Sequence, residues 1–288
     1  MNISRYRVRP GQQVDLRHYD PADTGPFKNK RKVLGKLDRG IDRLAALQER
    51  LYAQDRWALL LIFQAMDAAG KDSAIKHVMS GLNPQGTQVF AFKRPSDEEL
   101  DHDYLWRNVK ALPERGRIGL FNRSYYEEVL VVRVHAEIFA RQKLPSSLVT
   151  GHVWRDRFED INAFERYLGR NGTVIRKFFL NVSREEQRRR FLERLDDPSK
   201  NWKFEPADLD ERNRWDDYMR EYEQMLSRTS TKHAPWSIVP ADHKWFARLT
   251  IAELVVDALA SLDLRFPKPS EAHVEALAEA RKRLEAES

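Results

Sequence analysis

The apolar positions divide the chain into two kinds of segment. Between Lys30 and Ala53, Val33, Leu34, Leu37, Ile41, Leu44, Leu47 and Leu51 recur at helical intervals. That spacing puts them on one face of a long amphipathic helix. The run that follows, from Trp57 to Phe63, is apolar throughout. It suits a strand buried on both faces of a parallel sheet. Further strands are predicted over 87–92, 117–121, 173–180 and 236–239. Helical patterns fill 97–111, 135–171 with a break near Pro145, a stretch opening at Ser183, 206–228 and 244–262. Ser183 with Glu186 fits a capping box. The run 129–134 suits either a helix or a strand. Strands alternating with helices predict an α/β protein whose parallel sheet is covered on both faces. In such sheets ligands bind at the carboxyl ends of the strands.

The first strand leads into the segment that carries the chemistry. Ala65 to Gly70 is a run of small residues around Met66 and Asp67, followed by Lys71, Asp72 and Ser73 and a helix-compatible stretch. Strand, small-residue loop, lysine and helix are the context of a phosphate-binding loop. Backbone N–H groups in such a loop form a concavity for anions, and the helix N-terminus adds a positive dipole end. The match to the G-x-x-x-x-G-K-[ST] pattern is imperfect. Ala65 replaces the first glycine, Asp72 stands where a hydroxyl belongs, and Ser73 comes one place late. Asp67 adds a carboxylate inside the loop. Two carboxylates beside a lysine make sense where a divalent cation shares the site with phosphates. A chance turn before a helix is the competing explanation.

Three more charged clusters follow strands or open helices. Lys93 and Arg94 follow the second predicted strand and are placed to hold the phosphate of a second substrate. Asn122 and Arg123 follow the third; the arginine suits bidentate phosphate binding, while Asn122 orients a phosphate or water or caps the next turn. Glu127 and Glu128 lie close by, and either is a candidate for a cation or an acceptor nucleotide. Tyr125 and Tyr126 stack a base or, more simply, pack in the core. Arg184, Arg188, Arg189, Arg190 and Arg194 form stripes on one helix. They read as a lid over phosphates, or as a solvated face neutralised by Glu185, Glu186 and Glu193.

Composition narrows the class. The 288 residues suffice for one large α/β domain. A net charge of +6 suits a nucleotide, a nucleic acid or polyphosphate as partner without choosing among them. The absence of cysteine excludes disulfides and thiolate metal sites. No apolar run reaches membrane-spanning length, and the start lacks the apolar core of a signal peptide, so a cytoplasmic enzyme is expected. Residues 1–29, with Pro10, Gly11, Pro21, Gly25 and Pro26, read as an irregular segment. Residues 30–265 read as one domain including a lid at about 183–205. Residues 266–288 read as a charged tail, helical or disordered.

Four motifs in order then carry a resemblance. The string from Ala65 to Asp72, Phe92-Lys93-Arg94-Pro95, Phe121 to Glu127, and the arginine-rich 183–191 resemble the second family of polyphosphate kinases, over about 30–262. The resemblance implies a three-layer α/β/α P-loop kinase fold, similar to thymidylate kinases, with a helical lid. It implies transfer of the terminal phosphate of inorganic polyphosphate to AMP and ADP, giving ADP and ATP, reversibly and with Mg²⁺ (or Mn²⁺). It also implies a homodimer or homotetramer, with no nucleic-acid or membrane partner. By match, Asp67 orients or deprotonates the attacking phosphate and helps hold the metal, and Asp72 supports that role. Lys71 grips polyphosphate with Ala68, Ala69, Gly70 and Ser73, and Arg184, Arg188 and Arg189 clamp the chain. Arg123 bridges both substrates, with Lys93, Arg94, Asn122 and Glu127 on the nucleotide. Many members carry Asp where Asn122 stands. An acid at the Glu127 position resembles the subgroup that accepts both AMP and ADP. The alternatives are an ATP-dependent nucleotide kinase on the same fold and a non-catalytic nucleic-acid-binding protein.

Overall fold

The computed structural model describes residues 1–287. Its centre is a five-stranded sheet in the order β2-β3-β1-β4-β5, and every pairing is parallel. The strands are β1 (Ala58–Gln64), β2 (Thr87–Ala91), β3 (Ile118–Asn122), β4 (Thr173–Asn181) and β5 (Trp236–Pro240). Each lies within about two residues of its sequence-predicted span. All seven residues of β1 are buried, as its uninterrupted apolar run requires. The chain leaves β1 towards β2 and β3 on one side and later towards β4 and β5 on the other. That reversal opens a crevice at the carboxyl ends of the strands.

The longer helices are α1 (Leu34–Gln54), α2 (Lys71–Met79), α3 (Val153–Arg170), α4 (Arg184–Asp196), α5 (Ala207–Asn213), α6 (Trp215–Thr229), α7 (Lys244–Ala260) and α8 (Glu271–Ala286). The first helix packs along α7, which also meets α2. The α3 and α6 helices pack together and cover the other side of the sheet. Three helical readings change. The 97–111 stretch forms two single turns, Asp97–Leu100 and Trp106–Val109, separated where Asp103 accepts the Leu105 N–H. The 135–171 stretch is broken into short turns until α3. The 206–228 stretch is interrupted at Arg214. The run 129–134, open on sequence, resolves into a 3₁₀ turn, Tyr125–Val129, and a helical turn, Val131–Val134. In the tail, α8 is helical and exposed along its length.

The capping box at Ser183 is half formed. The Ser183 hydroxyl accepts the Glu186 N–H at 3.1 Å, but the Ser183 N–H donates to Asp242 and the Glu186 carboxylate is taken by Arg189 and Arg190. The N-terminal segment lacks long elements, as expected, yet it is fastened to the β5 edge. Val8 donates to the Trp236 carbonyl at 2.9 Å, and Arg7 forms an antiparallel bridge with Ser237. Further along, the carbonyls of Tyr19 and Pro21 accept from Asn181 and Asp242, at the ends of β4 and β5.

An ion pair lies inside the core. Lys177 and Glu165 are both fully buried, with Nζ 2.6 Å from Oε2. The same ammonium donates to the Tyr126 hydroxyl and the Thr229 carbonyl, and both Tyr125 and Tyr126 donate to Glu165. Tyr125 and Tyr126 are therefore core residues, and the base-stacking alternative fails.

Candidate active site

The loop between β1 and α2 takes the form its small residues allow. Ala68 and Gly70 adopt left-handed backbone angles, φ +59° and +105°. Left-handed geometry is free for glycine and costs ~1–2 kcal/mol for other residues. The chain then turns into α2 with Lys71 at the first position. The Lys71 ammonium folds back onto the carbonyls of Ala65 (2.7 Å) and Met66 (3.2 Å), and lies 4.0 Å from the Asp67 carboxylate. The Ser73 hydroxyl donates to the Gly70 carbonyl at 3.1 Å.

At the end of β3, Arg123 also adopts a left-handed conformation (φ +64°), and its N–H donates to Phe63 in β1. This unusual backbone aims its guanidinium at the loop, where it donates to Asp67 at 2.9 Å. Asn122, beside it, donates to Asp72 at 2.7 Å. Asp67, Lys71 and Arg123 thus converge, and Asp72 meets Asn122 one step away. Burial alone would raise the Asp67 carboxyl, but Lys71 and Arg123 hold it below the usual carboxylate range. Burial pushes the Lys71 ammonium down, against the pull of Asp67. Glu127, and then Asp67, push the Arg123 guanidinium up against its burial. The site therefore holds a committed carboxylate between two cations.

Beyond this cluster the surface is hollow. Asp67, Arg123 and Glu127 line a small recess walled by Leu130, Tyr218 and Tyr222. Val131 and Glu211 belong both to this recess and to an adjoining groove of about 390 Å³, lined also by Arg94, His135, Ile138 and Arg141. His135 contacts Glu211 at 3.0 Å, and the Tyr218 hydroxyl donates to the same carboxylate. The volume falls within the range of small-molecule sites.

The remaining sequence-predicted residues are distributed unevenly. Arg94 reaches the groove, whereas Lys93 is exposed and lines neither cavity; its carbonyl accepts from Arg107. Arg184 is exposed at the start of α4. Arg188 is paired with Glu185, and Arg189 with Glu186 and Glu193, so these glutamates supply the neutralisation weighed from sequence. Sequence reasoning missed Gln187, Glu211, Tyr218 and Tyr222 but did name Arg194 among the lid arginines. Arg194 helps lower the Asp67 carboxyl, and its guanidinium donates to the Lys203 carbonyl. No motif marks Gln187, Glu211, Tyr218 or Tyr222, because α4 to α6 bring them in from far along the chain.

The metal question can be put to the donor set. Among the described residues no three His, Asp or Glu side chains converge as a cation cage. Mg²⁺ does not require one, since it is commonly held by one or two carboxylates, waters and substrate phosphates. The ionised Asp67, with Asp72 on the next turn, fits that shared mode.

Comparison with known proteins places the chain and its fold. Residues 28–267 match the family model described as polyphosphate kinase 2. The chain is 50% identical over 286 residues to the ADP-polyphosphate phosphotransferase of Rhodopseudomonas palustris, covering 99% of each. It is 42% identical over 274 residues to the AMP/ADP-polyphosphate phosphotransferase of Meiothermus ruber, covering 94% of this chain and 97% of that one. Among solved structures, polyphosphate kinase 2 from Arthrobacter aurescens superposes with a TM-score of 0.86 at 42% identity, covering 96% of this chain and 95% of that one.

Proposed function

The chain belongs to the polyphosphate kinase 2 family, and from that premise we propose how its own residues perform polyphosphate-driven phosphorylation of AMP and ADP. The observation that carries the reading is the convergence of Asp67, Lys71 and Arg123 beside a hollow able to take a nucleotide. A phosphate oxygen of AMP or ADP attacks the terminal phosphorus of polyphosphate. The bond from that phosphorus to the bridging oxygen breaks, and the chain leaves one unit shorter. Such a transfer needs no covalent protein intermediate, only positioning and charge neutralisation.

The terminal phosphates of the donor sit on loop 65–70 and the N-terminus of α2, with Lys71 as the mobile cation. Arg123 stands between the substrates and neutralises the oxygens of the group in flight. Asp67, ionised, orients the acceptor phosphate, and Asp67 supported by Asp72 would hold a divalent cation such as Mg²⁺. The metal supplies charge neutralisation on the phosphate oxygens. The nucleoside lies in the groove by Arg94 and Arg141, and Glu127 faces the acceptor phosphate from the recess. Arg184, Arg188 and Arg189, exposed on α4, meet the distal chain, the latter two after exchanging their glutamate partners for phosphate. The domain limits near residues 30 and 265, and a homo-oligomeric state, belong to the same reading.

The test is a nucleotide separation assay. Purified protein, Mg²⁺ and long-chain polyphosphate are incubated with AMP or ADP, and ATP replaces polyphosphate in a parallel tube. ATP appearing from both AMP and ADP only with polyphosphate is the expected result. Consumption of ADP alone removes the role given to Glu127. Reaction only in the ATP tube overturns the donor assignment. The relatives give no support to an ATP-dependent kinase or a nucleic-acid-binding protein.

A further inference from the structure

One arginine of the lid helix is unlike its neighbours. Arg190 is 4% exposed, while Arg188 and Arg189 lie open to solvent. A guanidinium has five N–H donors, and all five of Arg190 are matched. Nε donates to Glu186 at 2.7 Å. One terminal nitrogen donates to the carbonyls of Ala68 (3.0 Å) and Ala69 (2.7 Å). The other donates to the carbonyls of Ala241 (2.6 Å) and Asp242 (3.0 Å), just past β5. No donor remains for a substrate oxygen. Three residues earlier on the same face of α4, Gln187 is 1% exposed and donates to the Asp67 carbonyl at 3.0 Å.

Three consecutive carbonyls of the phosphate loop, Asp67 to Ala69, are therefore held by one face of one helix. In a trans peptide the N–H points opposite to the C=O. Drawing these carbonyls towards α4 turns the N–H groups of Ala68, Ala69 and Gly70 the other way. That of Ala69 closes a turn on Met66 at 3.3 Å. The others lie on the side where an anion nest forms. The left-handed angles of Ala68 and Gly70 are the backbone counterpart of that orientation. Ala68 holds its angle without being glycine, so something must over-determine it.

We propose that Gln187 and Arg190 form a carbonyl clamp that presets the loop amides for the polyphosphate donor, as positioning residues that never touch substrate. The clamp rests on the reading of loop 65–70 as the donor site. Its base is anchored elsewhere: Asp242 accepts the Ser183 N–H and donates its own N–H to Pro21. The base of α4 is thus tied to the loop, to β5 and to the N-terminal strap. Arg190 belongs to the loop, and the exposed arginines belong to the substrate.

The test uses full-length wild type, Arg190→Lys and Gln187→Met. Lysine keeps the charge but cannot span four carbonyls, and methionine fills the glutamine volume without its donor. Steady-state kinetics with polyphosphate and ADP are paired with calorimetric titration of tripolyphosphate and, separately, ADP. Arg190→Lys is expected to raise the polyphosphate KM and the tripolyphosphate Kd at least tenfold, with the ADP Kd within twofold of wild type. Gln187→Met moves the donor constants the same way by about threefold. Unchanged donor constants in both variants overturn the clamp. So does a parallel fall in donor and ADP affinity that tracks the melting temperature, or a collapse of kcat with intact tripolyphosphate affinity. If wild type makes no ATP from polyphosphate, the functional reading fails, and the clamp is still judged by tripolyphosphate affinity, which needs no turnover.

Discussion

Two of this protein's acid–base clusters differ in what is left over. In the core, the three donors of Lys177 meet Glu165, Tyr126 and Thr229, and Glu165 accepts from Lys177 and two tyrosines. Every donor of the pair is matched by protein, and neither carboxylate oxygen is left without a partner. At the rim, Arg123 has five donors, and among the described residues its side chain makes one hydrogen bond, to Asp67. The core cluster is closed and the rim cluster is open towards a hollow. Burial of charge alone therefore does not identify a site. Unspent hydrogen-bonding capacity facing a cavity does.

The comparison can be broken by four substitutions, taken from the largest effect down. Lys71→Ala should lower kcat for polyphosphate-driven ATP formation by about 10³-fold or more, on the scale of a lost phosphate-stabilising cation, with an unchanged circular dichroism spectrum. Near wild-type turnover would remove the rim cluster from the chemistry. Lys177→Met should do the reverse. It leaves Glu165 buried without its partner, at a cost of ~3–5 kcal/mol in urea unfolding, while the surviving folded protein keeps its KM values.

The core pair also has its own pH window. Burial pulls Lys177 down to about 8 from the ordinary lysine value of 10.5, with Glu165 opposing. Between those values the unfolded chain holds the proton and the folded one releases it. This group's contribution to stability therefore rises with pH from about 8 to 10.5. The rise should be missing from the Lys177→Met unfolding profile; an identical slope in both proteins would reject the assignment. Asp67 acts at the opposite end. Its carboxyl is held low, so its contribution is present above the ordinary aspartate range and is lost as pH falls through the folded value.

Two smaller effects sharpen the picture. Glu127→Asn should lower kcat/KM for AMP about fivefold more than for ADP, ~1 kcal/mol of difference in transition-state binding. An unchanged AMP-to-ADP ratio would leave Glu127 without a role in acceptor choice. Ala68→Gly relieves the left-handed angle but loosens the unfolded chain, so stability should shift by less than ~1 kcal/mol. A larger loss would mean that the Ala68 methyl, rather than its carbonyl, matters to the loop.

Much of this was legible in the residues. The uninterrupted apolar run of β1 announced a strand buried on both faces, and the helix period of α1 fixed its buried stripe at Leu37, Leu44 and Leu51. Parallel connection then compelled the loops after β1, β2 and β3 to open on one edge of the sheet, which is why Asp67, Lys71 and Arg123 were recognisable as one site. These features depend on local periodicity and on short connections. The role of each arginine on α4 had no such signal. Arg188, Arg189 and Arg190 are adjacent and identical in type, and only the rotation of the helix against the phosphate loop separates them. A step of one residue turns a side chain by about 100°, so two of the three face water and glutamates while the third spends four of its five donors on carbonyls 51 to 122 residues away and the fifth on Glu186. Likewise Lys177 and Glu165, 12 residues apart, become a pair only because α3 packs on β4. The sequence by itself determined which strands and loops exist and where phosphate chemistry gathers. Tertiary packing decided which charges were enclosed, because enclosure depends on neighbours that no local pattern names.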